Sequence, residues 1–157
     1  MSDATGLLVR RAALADSQRI FEWRNDPTTR AVSGSSEPLD RRAHERWYSA
    51  AISDQTRFLY IVELLQGIPV GMCRFDLAAD NRSAETSINL APDQRGIGLG
   101  RPLLAACIES FRSDGLTPAV LTATIRPDNA ASLRIFESVG FAETGRTEEF
   151  LRLARDL

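Results

Sequence analysis

The stretch Leu90-Ala91-Pro92-Asp93-Gln94-Arg95-Gly96-Ile97-Gly98-Leu99-Gly100 constrains this chain more than any other, because a strand pattern ends and a helix pattern begins there. Glycine at 96, 98 and 100 lets the backbone turn tightly and lets a ligand come close to the main chain. The first N–H groups of a helix have no intrahelical partner and lie at the positive end of its dipole, so the junction suits an anion such as a pyrophosphate. Pro102 fits a first helical turn, where its missing N–H breaks no intrahelical bond, although it removes one donor. Arg95 and Arg101 add positive charge beside the loop, as they would beside a plain solvated turn. The dinucleotide fingerprint G-x-G-x-x-G does not fit. Gly96 and Gly98 would need a glycine where Arg101 stands, and the loop follows an antiparallel meander rather than the first strand of a βαβ unit.

Periodicity supplies the elements around this loop. Leu7 to Arg11 reads as a strand, and from Asp16 a helical spacing carries Ile20, Phe21 and Trp23 to a stop at Asn25-Asp26-Pro27. Ser33 to Pro38 is loop. Asp40 then caps a helix running to about Ile52, with Ala43, Trp47, Ala50 and Ala51 as its apolar face. Phe58 to Leu65 and Val70 to Phe75 form a hairpin about Gln66-Gly67-Ile68-Pro69, and Glu85 to Leu90 adds a third antiparallel strand. Leu103, Leu104, Cys107, Ile108 and Phe111 mark an amphipathic helix ended by Gly115. Val120 to Ile125 is a strand, Asp128 or Asn129 caps a helix ended by Gly140, and Phe141 onward and Phe150 to Leu153 give two last strands. The fold class is mixed α/β, a helix-flanked sheet.

Composition removes other chemistries. All 19 Lys+Arg residues are arginine, so Schiff-base catalysis and a P-loop lysine are excluded. Cys73 and Cys107 are far apart in apolar stretches and read as reduced core thiols. With one histidine and no Cys/His cluster, no metal site is expected. A formal charge of −2 gives no positive field for nucleic acid or an anionic membrane. Met1 to Gly6 carries no signal-peptide pattern, and no stretch approaches the roughly 20 apolar residues that span a bilayer, so cytoplasmic residence is the expectation.

Arg95-x-x-Gly98-x-Gly100 after a strand resembles the acetyl-CoA motif of the GNAT acetyltransferases. Asn129-Ala130-Ala131-Ser132-Leu133-Arg134-Ile135-Phe136-Glu137-Ser138-Val139-Gly140-Phe141 is similar to their later Asn-x-x-Ser...Tyr-x-x-x-Gly-Phe block. The resemblance covers nearly the whole chain. It implies a mostly antiparallel sheet of about seven strands with about four helices, splayed between the fourth and fifth strands. It also implies one domain over 1–157, with residues 6–80 on the acceptor side and 83–157 binding the cofactor, acetyl-CoA. Main-chain groups of Arg95, Gly96, Ile97, Gly98, Leu99, Gly100 and Arg101 would hold the pyrophosphate, Ile88 and Leu90 would pair with the pantetheine arm, and Asn129, Ser132 and Phe136 would touch the cofactor from the later helix.

The same resemblance implies direct attack of an amine on the thioester, which needs a proton acceptor. Glu85, opening the motif strand, is the candidate base against the alternative of an exposed strand-end glutamate; Glu63 stands second. Phe136 occupies the position where the family often places a tyrosine acting as general acid, and Tyr48, Tyr60 and Ser132 are the available substitutes. Trp23-Arg24-Asn25-Asp26-Pro27, Arg30 and His44-x-x-Trp47 resemble the helix-loop-helix of members that acetylate nucleotide-linked amino sugars, as in the pseudaminic-acid pathway. The Trp-Arg-Asn phrase is also similar to ribosomal-protein amino-terminal acetyltransferases. Trp23, Arg24, Asn25, Arg30, His44 and Trp47 are therefore the expected acceptor-binding residues, although tryptophans on apolar helix faces are more often core. The expected partner is a small-molecule amine, with a peptide amino terminus or a non-catalytic acyl-CoA-binding module as alternatives, and a homodimer is an open option.

Overall fold

The computed structural model describes residues 6–33, 36–115 and 118–157. Residues 1–5 of the polar amino terminus and 34–35 of the expected loop lie outside the described residues.

Seven strands form one sheet in the order β1-β2-β3-β4-β5-β7-β6. They are β1 Leu7–Arg11, β2 Arg57–Leu64, β3 Pro69–Leu77, β4 Ser83–Leu90, β5 Val120–Ile125, β6 Ala142–Arg146 and β7 Leu151–Asp156. Every pairing is antiparallel except β4 with β5, which is parallel. The helices are α1 Ser17–Asn25, α2 Pro27–Val32, α3 Arg41–Ser53, α4 Gly100–Ser113 and α5 Ala130–Ser138.

Alternation along the strands divides the sheet's side chains between two cores. On one face, Tyr60, Val62, Cys73, Phe75, Ala84 and Leu121 pack under α4 and α5 with Leu103, Leu104, Ile108, Phe111 and Phe136. Phe75 and Phe111 stack there at 4.3 Å, and each such burial contributes roughly 1.5–3 kcal/mol. On the other face, Leu59, Ile61 and Met72 meet Ile20 and Trp23 of α1 and Tyr48 and Ala51 of α3. The sheet is thus covered on both sides. Cys73 and Cys107 are free and buried, and burial, then the neighbouring Cys107, pushes the Cys73 thiol up.

Two expectations change. Asn25-Asp26-Pro27 ends α1 but also starts α2: the Asp26 carboxylate accepts from the N–H groups of Thr28 and Thr29, and Pro27 takes the position where proline is tolerated. The chain therefore has five α-helices among the described residues, against about four expected. In α3 the buried face is His44, Tyr48 and Ala51 rather than Ala43 and Ala50, which are exposed. A four-residue spacing of two polar aromatics outweighs alanines, because their rings bury far more area. Asp40 caps this helix as expected, and Asn129 rather than Asp128 caps α5.

Candidate active site

Strands β4 and β5 pair only where Ser83–Glu85 meets Val120–Thr122. Beyond that vertex β4 keeps β3 and β5 keeps β7, so two strand edges face each other across a gap. Sheet-edge N–H and C=O groups inside a fold call for partners. A cleft of about 900 Å³ occupies the gap, walled by Thr86 to Leu90 of β4, by Thr124 and Ile125 of β5, and by α5. The glycine loop lies past the end of β4 remote from the vertex and contributes Gly96, Gly98, Leu99 and Gly100 to the wall.

Local chemistry explains the loop. Gly96 and Gly98 have φ of 74° and 83°, the left-handed region that favours glycine. At Gly100 a Cβ would overlap the side chain of Ile135, so any larger residue would have to displace Ile135 where α4 starts against α5. No side chain caps α4: Leu99 stands at its N-cap and has no hydrogen-bonding group to offer. Its first N–H groups stay available at the positive end of the helix, beside the cleft.

Of the cofactor residues expected from sequence, Ile88, Leu90, Arg95, Gly96, Gly98, Leu99, Gly100, Arg101, Asn129, Ser132 and Phe136 all line this cleft. Ile97 does not, and the residue is 63% exposed. Arg95 also departs from expectation. Its guanidinium donates to Asp26 at 2.9 Å and to the hydroxyl of Thr29, so it ties α2 to the loop instead of standing free for phosphate. Arg101, on the cleft beside the loop, has no such pairing among the described residues. Asn129 lines the cleft while its Oδ1 accepts from the N–H of Ser132 at 3.2 Å.

Glu85 belongs to the last β4 pair before the vertex and is not part of the cleft wall, which begins at Thr86. Its carboxylate accepts from the Thr122 hydroxyl at 2.8 Å. Strand alternation puts it with Ser87 and Asn89 on the α1/α3 face, while Thr86, Ile88 and Leu90 turn to the α4/α5 face. Glu63 instead receives a hydrogen bond from Arg10 at 3.0 Å. Tyr48 donates to the Ala13 carbonyl at 2.6 Å and Tyr60 to Asp114 at 2.8 Å; burial pushes both phenols up, and neither lines the cleft. Among the three substitutes for a general acid, only Ser132 reaches it.

None of the expected acceptor residues lines the cleft, and of the six only Arg24, His44 and Trp47 cluster through their side chains. Trp23 is core. Asn25 accepts from the N–H of Leu39 at 2.9 Å, and Arg30 donates to the carbonyls of Asn25 and Ser36. His44 is 3% exposed. Its Nε2 meets the Ser17 carbonyl at 2.9 Å and its Nδ1 meets Arg24 at 3.1 Å, which fixes the neutral tautomer protonated on Nε2. Burial lowers its pKa, the Ser17 hydrogen bond opposes this, and the Arg24 charge adds to the lowering.

Arg24 and Trp47 remain together. The guanidinium lies 4.2 Å from the indole centroid, and Arg74 of β3 lies 5.4 Å from the same ring. Burial, then the charge of Arg74, lowers the pKa of Arg24, and no ion pair to Arg24 occurs among the described residues. Arg74 pairs in register with Ser87 and shares its face, so this cationic group borders the strand that carries Glu85. Sequence reasoning missed Arg74, Ser87 and Asn89. Their alternation with Glu85 across β3 and β4 is the signal that would have found them. It also missed Thr28, Thr29 and Val32 of α2, which line the cleft from the amino-terminal half.

Among the described residues, no cluster of His, Cys, Asp or Glu is arranged to hold a metal ion, and no helix is long and apolar enough to cross a membrane.

Residues 6–142 match the family described as acetyltransferase (GNAT) domain. The L-amino acid N-acyltransferase MnaT of Escherichia coli (strain K12) is 39% identical over 143 residues, which is 88% of this chain and 81% of that protein. An L-methionine sulfoximine/L-methionine sulfone acetyltransferase of Pseudomonas paraeruginosa is 29% identical over the same shares. A crystal structure of spermidine N-acetyltransferase from Vibrio cholerae, in complex with CoA and spermine, superposes with a TM-score of 0.85 at 20% identity, covering 97% of this chain and 96% of that one.

Proposed function

This chain belongs to the GNAT acetyltransferase family and is an acetyl-CoA-dependent N-acetyltransferase, and we propose that its forked cleft holds the cofactor while the α1/α3 face of β4 presents a small amine bearing an anionic group. The observation that carries this reading is the fork itself: two unpaired strand edges, at whose outer end α4 begins uncapped. A flexible arm with amide groups satisfies the edges, and a diphosphate satisfies the helix end. In this reading residues 83–157 supply most of the cofactor wall and 6–80 most of the acceptor side, with α2 bordering both.

The cofactor supplies an activated acetyl group as a thioester. Ile88 and Leu90 would hold its arm through their main chains, with Gly96 to Arg101 around the phosphates. Glu85, oriented by Thr122, takes the proton of the incoming ammonium through water, since it stands at the vertex but outside the wall. Arg24, which lies against Trp47 with no ion pair among the described residues, attracts the anionic group of the acceptor, with Arg74, paired to Asp76 at 3.0 Å, on the other contact to the ring.

A nucleotide-linked amino sugar meets this requirement through its phosphates, and its base would suit the indole of Trp47. A second acceptor class, an α-amino acid held by its carboxylate, is favoured by the 39% identity to an L-amino acid N-acyltransferase. Release of free thiol from acetyl-CoA, followed across nucleotide-linked amino sugars, L-amino acids, peptides and spermidine, tests the proposal. Turnover with an anionic amine and little with spermidine is expected; turnover confined to cationic amines or peptides overturns the acceptor class.

A further inference from the structure

We propose that the Thr86 hydroxyl is a catalytic hydrogen-bond donor to the sulfur of the acetyl thioester, supplying from β4 what Phe136 cannot supply from α5. The inference rests on the cofactor reading above. Thr86 is 3% exposed and belongs to the cleft wall, yet its Oγ1 is enclosed with no hydrogen-bond partner among the described residues. Leaving a buried hydroxyl unsatisfied lowers stability, so a threonine there calls for a reason that the fold alone does not give. The other enclosed atoms in the same condition, Arg74 Nε and Asp76 Oδ1, belong to the two partners of a 3.0 Å ion pair, which leaves Thr86 as the isolated case among the described residues.

Its position fits the role. The last β4–β5 pair is Glu85 with Thr122, so Thr86 is the first β4 residue past the vertex. Glu85 and Thr86 are adjacent but turn to opposite faces, one toward the amine and the other toward α4 and α5. Phe136 lines the same cleft, packed edge-on against Phe141 at 4.9 Å, and has no ionisable group.

The chemistry balances without a strong acid. The ammonium first loses a proton by way of Glu85 and water; the amine nitrogen then bonds to the carbonyl carbon, the C–S bond breaks with sulfur keeping its electron pair, and the second nitrogen proton leaves to water by the same route as the amide forms. Thr86 keeps its own proton and donates only a hydrogen bond to the developing thiolate, which takes a proton from solvent as CoA departs. A charged acceptor strengthens such a bond over one to a neutral thioester, so the donor favours the transition state.

Thr86→Val keeps the branched shape and removes the hydroxyl, and Thr86→Ser keeps the hydroxyl. Three readouts are taken on each: melting temperature without ligand, affinity for CoA and for desulfo-CoA at about pH 9, where much of the thiol is ionised, and kcat at saturating acetyl-CoA. The valine variant is expected to melt no lower than wild type, to lose the preference for CoA over desulfo-CoA, and to lose about 10- to 100-fold in kcat, while the serine variant stays within about threefold. Unchanged kcat and unchanged preference in the valine variant overturn the proposal. So does a valine variant that melts lower and loses activity in step, which would show the hydroxyl partnered within the core. Failure of wild type to bind CoA at all is a different result, and it overturns the cofactor assignment from which the Thr86 role descends.

Discussion

Two helix starts, those of α2 and α4, show opposite uses of the same chemistry. Asp26 satisfies the first N–H groups of α2 and in addition pairs with Arg95. Leu99 leaves those of α4 without a side-chain partner. The same contrast runs through the two regions around them. On the amino-terminal side Asp16, Asn25, Arg30 and His44 are all bound to other parts of the chain. Along the fork, strand edges, a helix end and the Thr86 hydroxyl stand open. Much of the arginine and polar content of the amino-terminal half is thus bound within the chain, with Arg24 and Trp47 left against each other, while the run of glycines borders the cleft.

The comparison breaks most sharply at Glu85, the proposed base at the vertex of the fork. Glu85→Gln is expected to lower kcat by about 10²–10⁴-fold with CoA affinity unchanged, as measured by thiol release and calorimetry. An unaltered kcat would return Glu85 to the status of a strand-end residue held by Thr122.

The closed region is tested at Asp16, whose side chain is 4% exposed. Burial raises its pKa, but hydrogen bonds from Arg10 and from the Ala13 N–H, with the charges of Arg10 and Arg19, lower it further, and the net direction is down. Asp16→Asn is expected to cost about 3 kcal/mol in denaturant unfolding at neutral pH. The sign of the pH effect follows from the lowered pKa: the stabilisation is complete above the unfolded value of about 3.9 and is lost as pH falls through the folded one. The stability curves of wild type and variant should therefore converge below about pH 4.

At the loop, Gly98→Ala forces a φ of 83° on a residue with a Cβ and should weaken CoA binding about tenfold with little change in kcat. The smallest effect expected is at His44. Its lowered pKa means that stability falls as pH drops through the ordinary imidazole range near about 6.5, and His44→Gln should flatten that part of the wild-type profile.

Much of the fold was legible because local signals agreed with it. β-Branched and aromatic runs about a turn marked β2 and β3, alternation marked β4 and β5, and the spacing of Leu103, Leu104, Cys107, Ile108 and Phe111 marked α4, those five all buried in the structure. The cleft wall was legible because glycine loops and helix starts are written in consecutive residues. Asp26-Pro27 was harder, since a proline after aspartate both stops one helix and starts the next. The acceptor side was least legible. Whether an arginine is free depends on partners distant in sequence, as Arg95 with Asp26 shows, and Arg74 meets Trp47 only through tertiary packing. Thr86 carries no signal of its own in sequence, because its lack of a partner is a property of the folded strand.

Titration calorimetry with CoA and with pantetheine, which has the arm but no diphosphate, tests the open helix start and the fork most directly. A dissociation constant on the order of 1–100 μM for CoA, with pantetheine at least about tenfold weaker, is the expected result. Equal affinity for the two, or no heat with CoA at millimolar concentration, would contradict the assignment of the cleft.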